Sequence, residues 1–310
     1  MAITAGMVKE LREISGAGMM DCKKALAETN GDMEEAIEYL RKNGQAKAEK
    51  KANRIAAEGL VKVLVEGQTA AIVEVNSETD FVAKNEEFQN FVSGVAHLAI
   101  KTSTSNIDDF LGEAWLEDTS KTVNEVLTEK IAVIGEKLSI RRFEKVTADQ
   151  GCVVSYTHGG GRIGVVVKAN AAIVNEEVTN ALSNIAMQIA ALAPKYVSTD
   201  EVSEEYKEHE KEILKAQIAT DPKMQGKPDK VIEGAIIGRL NKELKEVCLL
   251  EQAYVKAEDG KQTVKAYLQE ISKTIGSDVS IEQFIRFETG EGIEKKQENF
   301  ADEVKAQIGQ

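Results

Sequence analysis

The chain opens with short apolar stripes of helical period. Val8, Leu11 and Ile14 recur every third residue in MVKELREIS until Gly16-Ala17-Gly18 interrupts them, and DCKKALAET follows as a second helix. A third helix begins at Asp32, where Glu35 marks a capping box and Met33, Ile37 and Leu40 continue one face. Three short helices need a shared core, so residues 1–54 read as one compact helical unit. Its tail, QAKAEKKANR (45–54), has no apolar stripe and reads as a solvated helix end and linker.

Beyond residue 55 the period changes from helical to extended. GLVKVLVEG and TAAIVEVN are β-branched runs joined at Gly67-Gln68, a hairpin signal, and GCVVSYTHGGGRIGVVVKAN repeats the pattern from Gly151. The repetition continues after each hairpin. Thr122 and Thr263, Val123 and Val264, Leu127 and Leu268, Glu129 and Glu270, Gly135 and Gly276, and Ser139 and Ser280 all stand 141 positions apart, an offset chance does not sustain. Both copies then end in Arg-Phe-Glu, at Arg142-Phe143-Glu144 and Arg286-Phe287-Glu288.

The chain therefore reads as α+β, with two related subdomains, 55–145 and 146–310, each an antiparallel sheet covered by helices. An insertion at about 195–262 lengthens the second copy. It holds two highly charged helices separated by TDPKMQGKP, whose Pro222, Gly226 and Pro228 suit a tight reversal. Ile237, Leu240, Leu244 and Val247 advance by three, four and three, which predicts the seam of a projecting helical hairpin or short coiled coil. Residues 289–310 remain as a C-terminal segment.

Charge narrows the partners. A net charge of −13 argues against nucleic acid, since phosphate binding needs a basic surface. No apolar run approaches the roughly 20 residues needed to cross a bilayer, and MAITAGMVKE has no signal-peptide pattern, so a cytoplasmic protein without membrane attachment is expected. Cys22, Cys152 and Cys248 lie far apart and are odd in number, as reduced thiols would. His97, His158 and His209 are equally scattered, so neither a metal site nor a cofactor is expected.

Little in the chain suggests bond-making chemistry. Gly159, Gly161 and Gly164 match G-x-G-x-x-G, but VVVK follows where a dinucleotide loop needs a helix, which leaves a glycine-rich hairpin turn. His158 at its tip reads as solvated or as a surface contact. Cys22 stands near a helix start, where the dipole favours a thiolate and small-residue packing favours burial. No nucleophile and base are signalled together.

One stretch stands apart, Asn76-Ser77-Glu78-Thr79-Asp80-Phe81. Aligning Asn76 with Asn170 and Asn85 with Asn175 puts SETDFVAK in the first copy where the second has AAIV. The fold closes that corner without the added residues, so an aromatic there is surplus to architecture and is a candidate for recognition. The other reading is a staple, with Phe81 folded back onto Phe88 or Val92 of the helix that starts near Glu86.

Several ordered motifs carry a family resemblance: Leu11-Arg12-Glu13, Gly16 through Leu26 (GAGMMDCKKAL), Asn30-Gly31-Asp32, Thr79 through Lys84 (TDFVAK), Ile140-Arg141-Arg142, His158-Gly159-Gly160 with Arg162-Ile163-Gly164, and Phe284 through Glu288 (FIRFE) with Gly290 through Lys295 (GEGIEK). Over essentially its whole length the sequence resembles the bacterial elongation factor Ts family, guanine-nucleotide exchange factors for elongation factor Tu. The resemblance implies a ubiquitin-associated-like fold for residues 1–54 and a coiled-coil projection for the charged hairpin. It implies exchange by differential binding, without covalent chemistry, and elongation factor Tu as partner. Thr79, Asp80, Phe81 and Val82 would enter that GTPase near its nucleotide, the aromatic wedging between helices and disturbing the magnesium site. Arg12, Met19 and Met20 would dock on the same GTPase domain, and the His158 turn on a more distant one. The competing classes are an interaction adaptor and a nucleotide-dependent enzyme, of which the latter lacks a phosphate loop in the right context.

Overall fold

The structure, a computed structural model, describes residues 3–294. Lys295 and the greater part of the expected segment 289–310 lie outside the described residues. Helices α1 (Ala5–Ser15), α2 (Met19–Glu28) and α3 (Met33–Lys51) close around Leu11, Cys22, Ala25, Leu26 and Ala36, all fully buried. Asp32 caps α3 by accepting the Glu35 N–H at 2.9 Å.

The first β-rich half runs β1 (Glu58–Glu66), β2 (Thr69–Ser77), α4 (Asp80–Ala83), α5 (Glu86–Ala99), α6 (Ile107–Gly112), α7 (Val123–Ile134) and β3 (Ser139–Thr147). The second runs β4 (Cys152–His158), β5 (Ile163–Ala171), α8 (Glu176–Leu192), α9 (Glu204–Thr220), α10 (Asp229–Val247), α11 (Val264–Ile275) and β6 (Val279–Glu288). Among the described residues the result is α+β, with eleven α-helices and two antiparallel sheets ordered β1-β2-β3 and β4-β5-β6.

The repeat is physical as well as textual. Thr122 and Thr263 cap α7 and α11, and both helices stop at a glycine with left-handed backbone, Gly135 at φ 86° and Gly276 at φ 69°. The register slips by a bulge between Glu74 and Val75 in one sheet and between Lys168 and Ala169 in the other, the same place in each copy.

The central strands are covered on both sides. Ala71, Val73 and Val75 of β2 face the helices of their own half, whereas Ala70 and Ile72 face the other sheet, where they meet Val153, Val166, Ile285 and Phe287. The two sheets thus pack face to face between outer layers of helices, which alternation over each strand explains. The glycine-rich turn serves this contact. A Cβ on Gly164 would lie 2.5 Å from Val61 Cγ1, and the Gly161 carbonyl accepts the Val61 N–H at 2.7 Å.

Two expectations need correction. Residues 45–51 are no linker, because α3 continues through them and lies against α7. Gly44 is buried where a Cβ would stand 3.4 Å from the Ala132 Cβ, and Ala48 packs on the first core. Two small residues four apart make a stripe as useful as leucines for close approach. In the inserted pair α9–α10 the buried seam is Leu214, Leu240 and Leu244, edged by Ile236 and Val247, while Ile237 is 48% exposed. The row 236, 240, 244 follows the four-residue step of a short straight helix, and the three-four-three reading displaced its first member by one residue.

Candidate functional site

The corner between β2 and α5 is built from hydrogen bonds to one carboxylate. Glu136, just beyond the Gly135 stop of α7, accepts the Glu78 N–H and the Thr79 N–H at 3.0 Å each, and the Thr79 hydroxyl at 2.7 Å. Glu78 reciprocates. Its carboxylate accepts the Lys137 N–H at 2.6 Å and pairs with Arg54, at the end of the first helical unit, at 3.3 Å. Glu136 thus binds the backbone of Glu78 and Thr79, and Glu78 binds the backbone of Lys137, the residue after Glu136; charge-assisted bonds of this type are the stronger ones.

Held this way, Thr79 caps the single turn of α4, its hydroxyl oxygen accepting the Val82 N–H at 3.4 Å. One turn offers side chains in opposite directions. Val82 packs against the first core and Ala83 is buried, whereas Phe81 is 80% exposed. The staple reading therefore does not hold: Phe88 is fully buried without the Phe81 ring, which is held outward. Leaving such a ring in water forgoes roughly 1.5–3 kcal/mol of burial. Beside it the Asp80 carboxylate bonds to Lys84 at 2.6 Å, and this bond keeps Asp80 below the usual carboxylate range.

The second copy lacks all of this. β5 ends at Ala171, Asn175 caps α8 directly by accepting the Val178 N–H, and Ser277 stands where Glu136 does. This substitution is the sequence signal for Glu136, but the two copies also differ at many other positions between 122 and 140, so it does not stand out. It was missed.

The remaining candidate residues fall into two places. His158 ends β4, exposed, with its Nδ1 3.0 Å from the Tyr156 hydroxyl. Its turn neighbours Gly159 and Gly160 share with Asp80, Ala83 and Lys84 a shallow cleft of about 240 Å³, so this turn and the Phe81 corner adjoin. Arg12, Met19 and Met20 sit on the first helical unit, with Met19 60% and Met20 74% exposed at the start of α2. The Arg54–Glu78 pair joins that unit to the corner. Cys22 is fully buried, its thiol 3.6 Å from the Ala17 carbonyl, so packing is the outcome there.

Opposite the corner's chemistry lies a fully buried carboxylate that sequence reasoning also missed. Glu74 faces the space between the sheets and accepts from Arg141 Nη1 at 3.0 Å, Arg142 Nε at 2.5 Å and the Gly290 N–H at 2.8 Å. Burial alone would raise its pKa, but the Gly290 N–H and the two guanidinium groups outweigh burial and hold it low. Among the described residues no cluster of three or more His, Cys, Asp or Glu could hold a metal ion, and no helix is long and apolar enough to cross a membrane.

A family model described as Elongation factor TS matches residues 78–291, from the Phe81 corner to the turn bonded to Glu74. The chain belongs to the elongation factor Ts family. Elongation factor Ts of Clostridium perfringens (strain SM101 / Type A) is 51% identical over 304 residues, covering 97% of this chain and 98% of the relative. Elongation factor Ts of Clostridioides difficile (strain 630) is 51% identical over 308 residues, covering 99% of each. That of Clostridium kluyveri (strain ATCC 8527 / DSM 555 / NBRC 12016 / NCIMB 10680 / K1) is 49% identical over 308 residues, again 99% of each. Elongation factor Ts relatives thus match nearly the whole length, including the helical unit before residue 78 that the family model does not span.

Proposed function

We propose that this chain is a guanine-nucleotide exchange factor that binds elongation factor Tu carrying GDP and promotes GDP release so that GTP can bind. The observation that carries the reading is Phe81, held 80% exposed on a corner pinned by hydrogen bonds, in a member of the elongation factor Ts family. In this reading Thr79, Asp80, Phe81 and Val82 enter the GTPase near its nucleotide and magnesium, and the ring finds there the burial that its own chain withholds.

Binding linkage is enough to drive the reaction. A factor that prefers the nucleotide-free GTPase must be bound less tightly when GDP is present, so its docking weakens GDP by the same factor. Each tenfold loss of GDP affinity needs about 1.4 kcal/mol of differential binding. One buried Phe supplies roughly 1.5–3 kcal/mol, so further contacts must share the task. Arg12, Met19 and Met20 on a ubiquitin-associated-like unit of residues 1–54, and the His158 turn, are proposed as those contacts. The subdomain division at 55–145 and 146–310, a coiled-coil role for α9–α10 and a cytoplasmic location belong to the same proposal.

The test is fluorescence stopped-flow with labelled GDP bound to elongation factor Tu. The reading expects release to accelerate as this protein is added, and co-elution of the two proteins to fall when excess GDP is present. An adaptor without exchange activity would leave release at its spontaneous rate.

A further inference from the structure

We infer that Glu136 is the positioning residue for exchange: by fixing Glu78 and Thr79 it sets the direction in which Phe81 is offered to the GTPase. The inference rests on the reading of Phe81 above and adds a residue outside the Thr79–Val82 segment.

Three observations carry it. Glu136 receives three hydrogen bonds from the two residues that precede α4, at 3.0, 3.0 and 2.7 Å. The same Thr79 hydroxyl that donates to Glu136 accepts the Val82 N–H, so the carboxylate, the cap and the helical turn form one chain of bonds ending at Phe81's neighbour. The internal repeat supplies the control. Where the loop is short, at AAIV in the second copy, the position of Glu136 is Ser277, and no one-turn helix precedes α8. A carboxylate is suited to the task because two oxygens can take both N–H groups and the hydroxyl at once, whereas serine cannot.

Without Glu136 the corner keeps its sequence and its anchor at Val82 but loses the bonds that orient its first turn. Docking through the helical unit and the His158 turn would survive. The step that suffers is the one that needs the ring in place, since a displacement of about 1 Å from productive geometry can cost on the order of a hundredfold in rate.

The experiment uses the full chain with Glu136→Ser, and Glu136→Gln as a second variant that keeps one acceptor. Amide hydrogen exchange at Glu78 and Thr79 in the free protein reads the clamp, and labelled-GDP release from elongation factor Tu reads its consequence. Glu136→Ser is expected to lose protection at both amides and to lower the saturating release rate by at least about tenfold. The half-saturating concentration should stay within about twofold, and Glu136→Gln should recover part of the rate. Unchanged amide protection, release at the parent rate, or a loss confined to the half-saturating concentration would each overturn the inference. If Glu136→Ser does not fold, Glu136→Gln is read by the same criteria. A parent protein that leaves GDP release unchanged would defeat the exchange reading, and the positioning role with it. The amide protection of the free protein would still stand as a separate result.

Discussion

The Glu74 carboxylate meets Arg142 Nε at 2.5 Å with its own side chain fully buried; the two are paired positions of β2 and β3 in one sheet, and Glu74 reaches the turn after β6 of the other by accepting the Gly290 N–H at 2.8 Å. Arg142 also lies 4.1 Å over the Phe287 ring of the opposite sheet and pairs with Glu291 at 3.1 Å. A buried pair with one partner removed is costly, because the remaining charge is left uncompensated. Glu74→Gln is therefore expected to lose about 3 kcal/mol at neutral pH, measured by urea unfolding.

The pH dependence follows from the same group. Burial would raise the Glu74 pKa, but its donors hold it below the ordinary 4.5. A depressed carboxylate contributes stability that is complete above the unfolded value and is lost as pH falls through the folded one. Urea midpoints taken downward from pH 6 should fall below about pH 4.5 more steeply for the parent than for Glu74→Gln. Parallel curves would mean that folding leaves the Glu74 pKa at its unfolded value.

Gly164 has no room for a side chain. An added Cβ would stand 2.5 Å from Val61 Cγ1 and 3.0 Å from Val63 Cγ2. Gly164→Ala should cost about 1–3 kcal/mol in urea unfolding by forcing the sheets apart. A neutral effect would contradict the face-to-face packing.

In the inserted helices, neighbouring apolar positions should behave oppositely. Leu240 is 5% exposed and Ile237 is 48% exposed. Leu240→Ala should cost about 2–5 kcal/mol in thermal or urea unfolding. Ile237→Ala should stay within about 0.5 kcal/mol of the parent.

Much of this was legible in the residues. The hairpin at Gly67-Gln68, the strands around the GGG turn and the repeat at a fixed offset are local or periodic signals, and each appears as an element. Two kinds of feature were not legible. The contact of α3 with α7 depends on Gly44 and Ala48, whose smallness leaves no mark in a search for large apolar stripes. The Glu136 and Glu74 networks join residues 57 to 216 positions apart through carboxylates, and in a chain with 52 acidic residues no spacing singles those two out. Phe81 was legible as surplus because the second copy does without it. The bonds from Glu78 and Thr79 to Glu136 that pin its corner could not be read from the loop alone.

The account depends on Phe81 acting outside its own chain, and the most direct measurement compares Phe81→Ala with the parent. At 80% exposure the ring adds little to the fold, so the thermal midpoint should not move. The saturating rate of labelled-GDP release from elongation factor Tu should fall by between about tenfold and a hundredfold. A variant that releases GDP as fast as the parent, or that fails only because it has unfolded, would contradict the account.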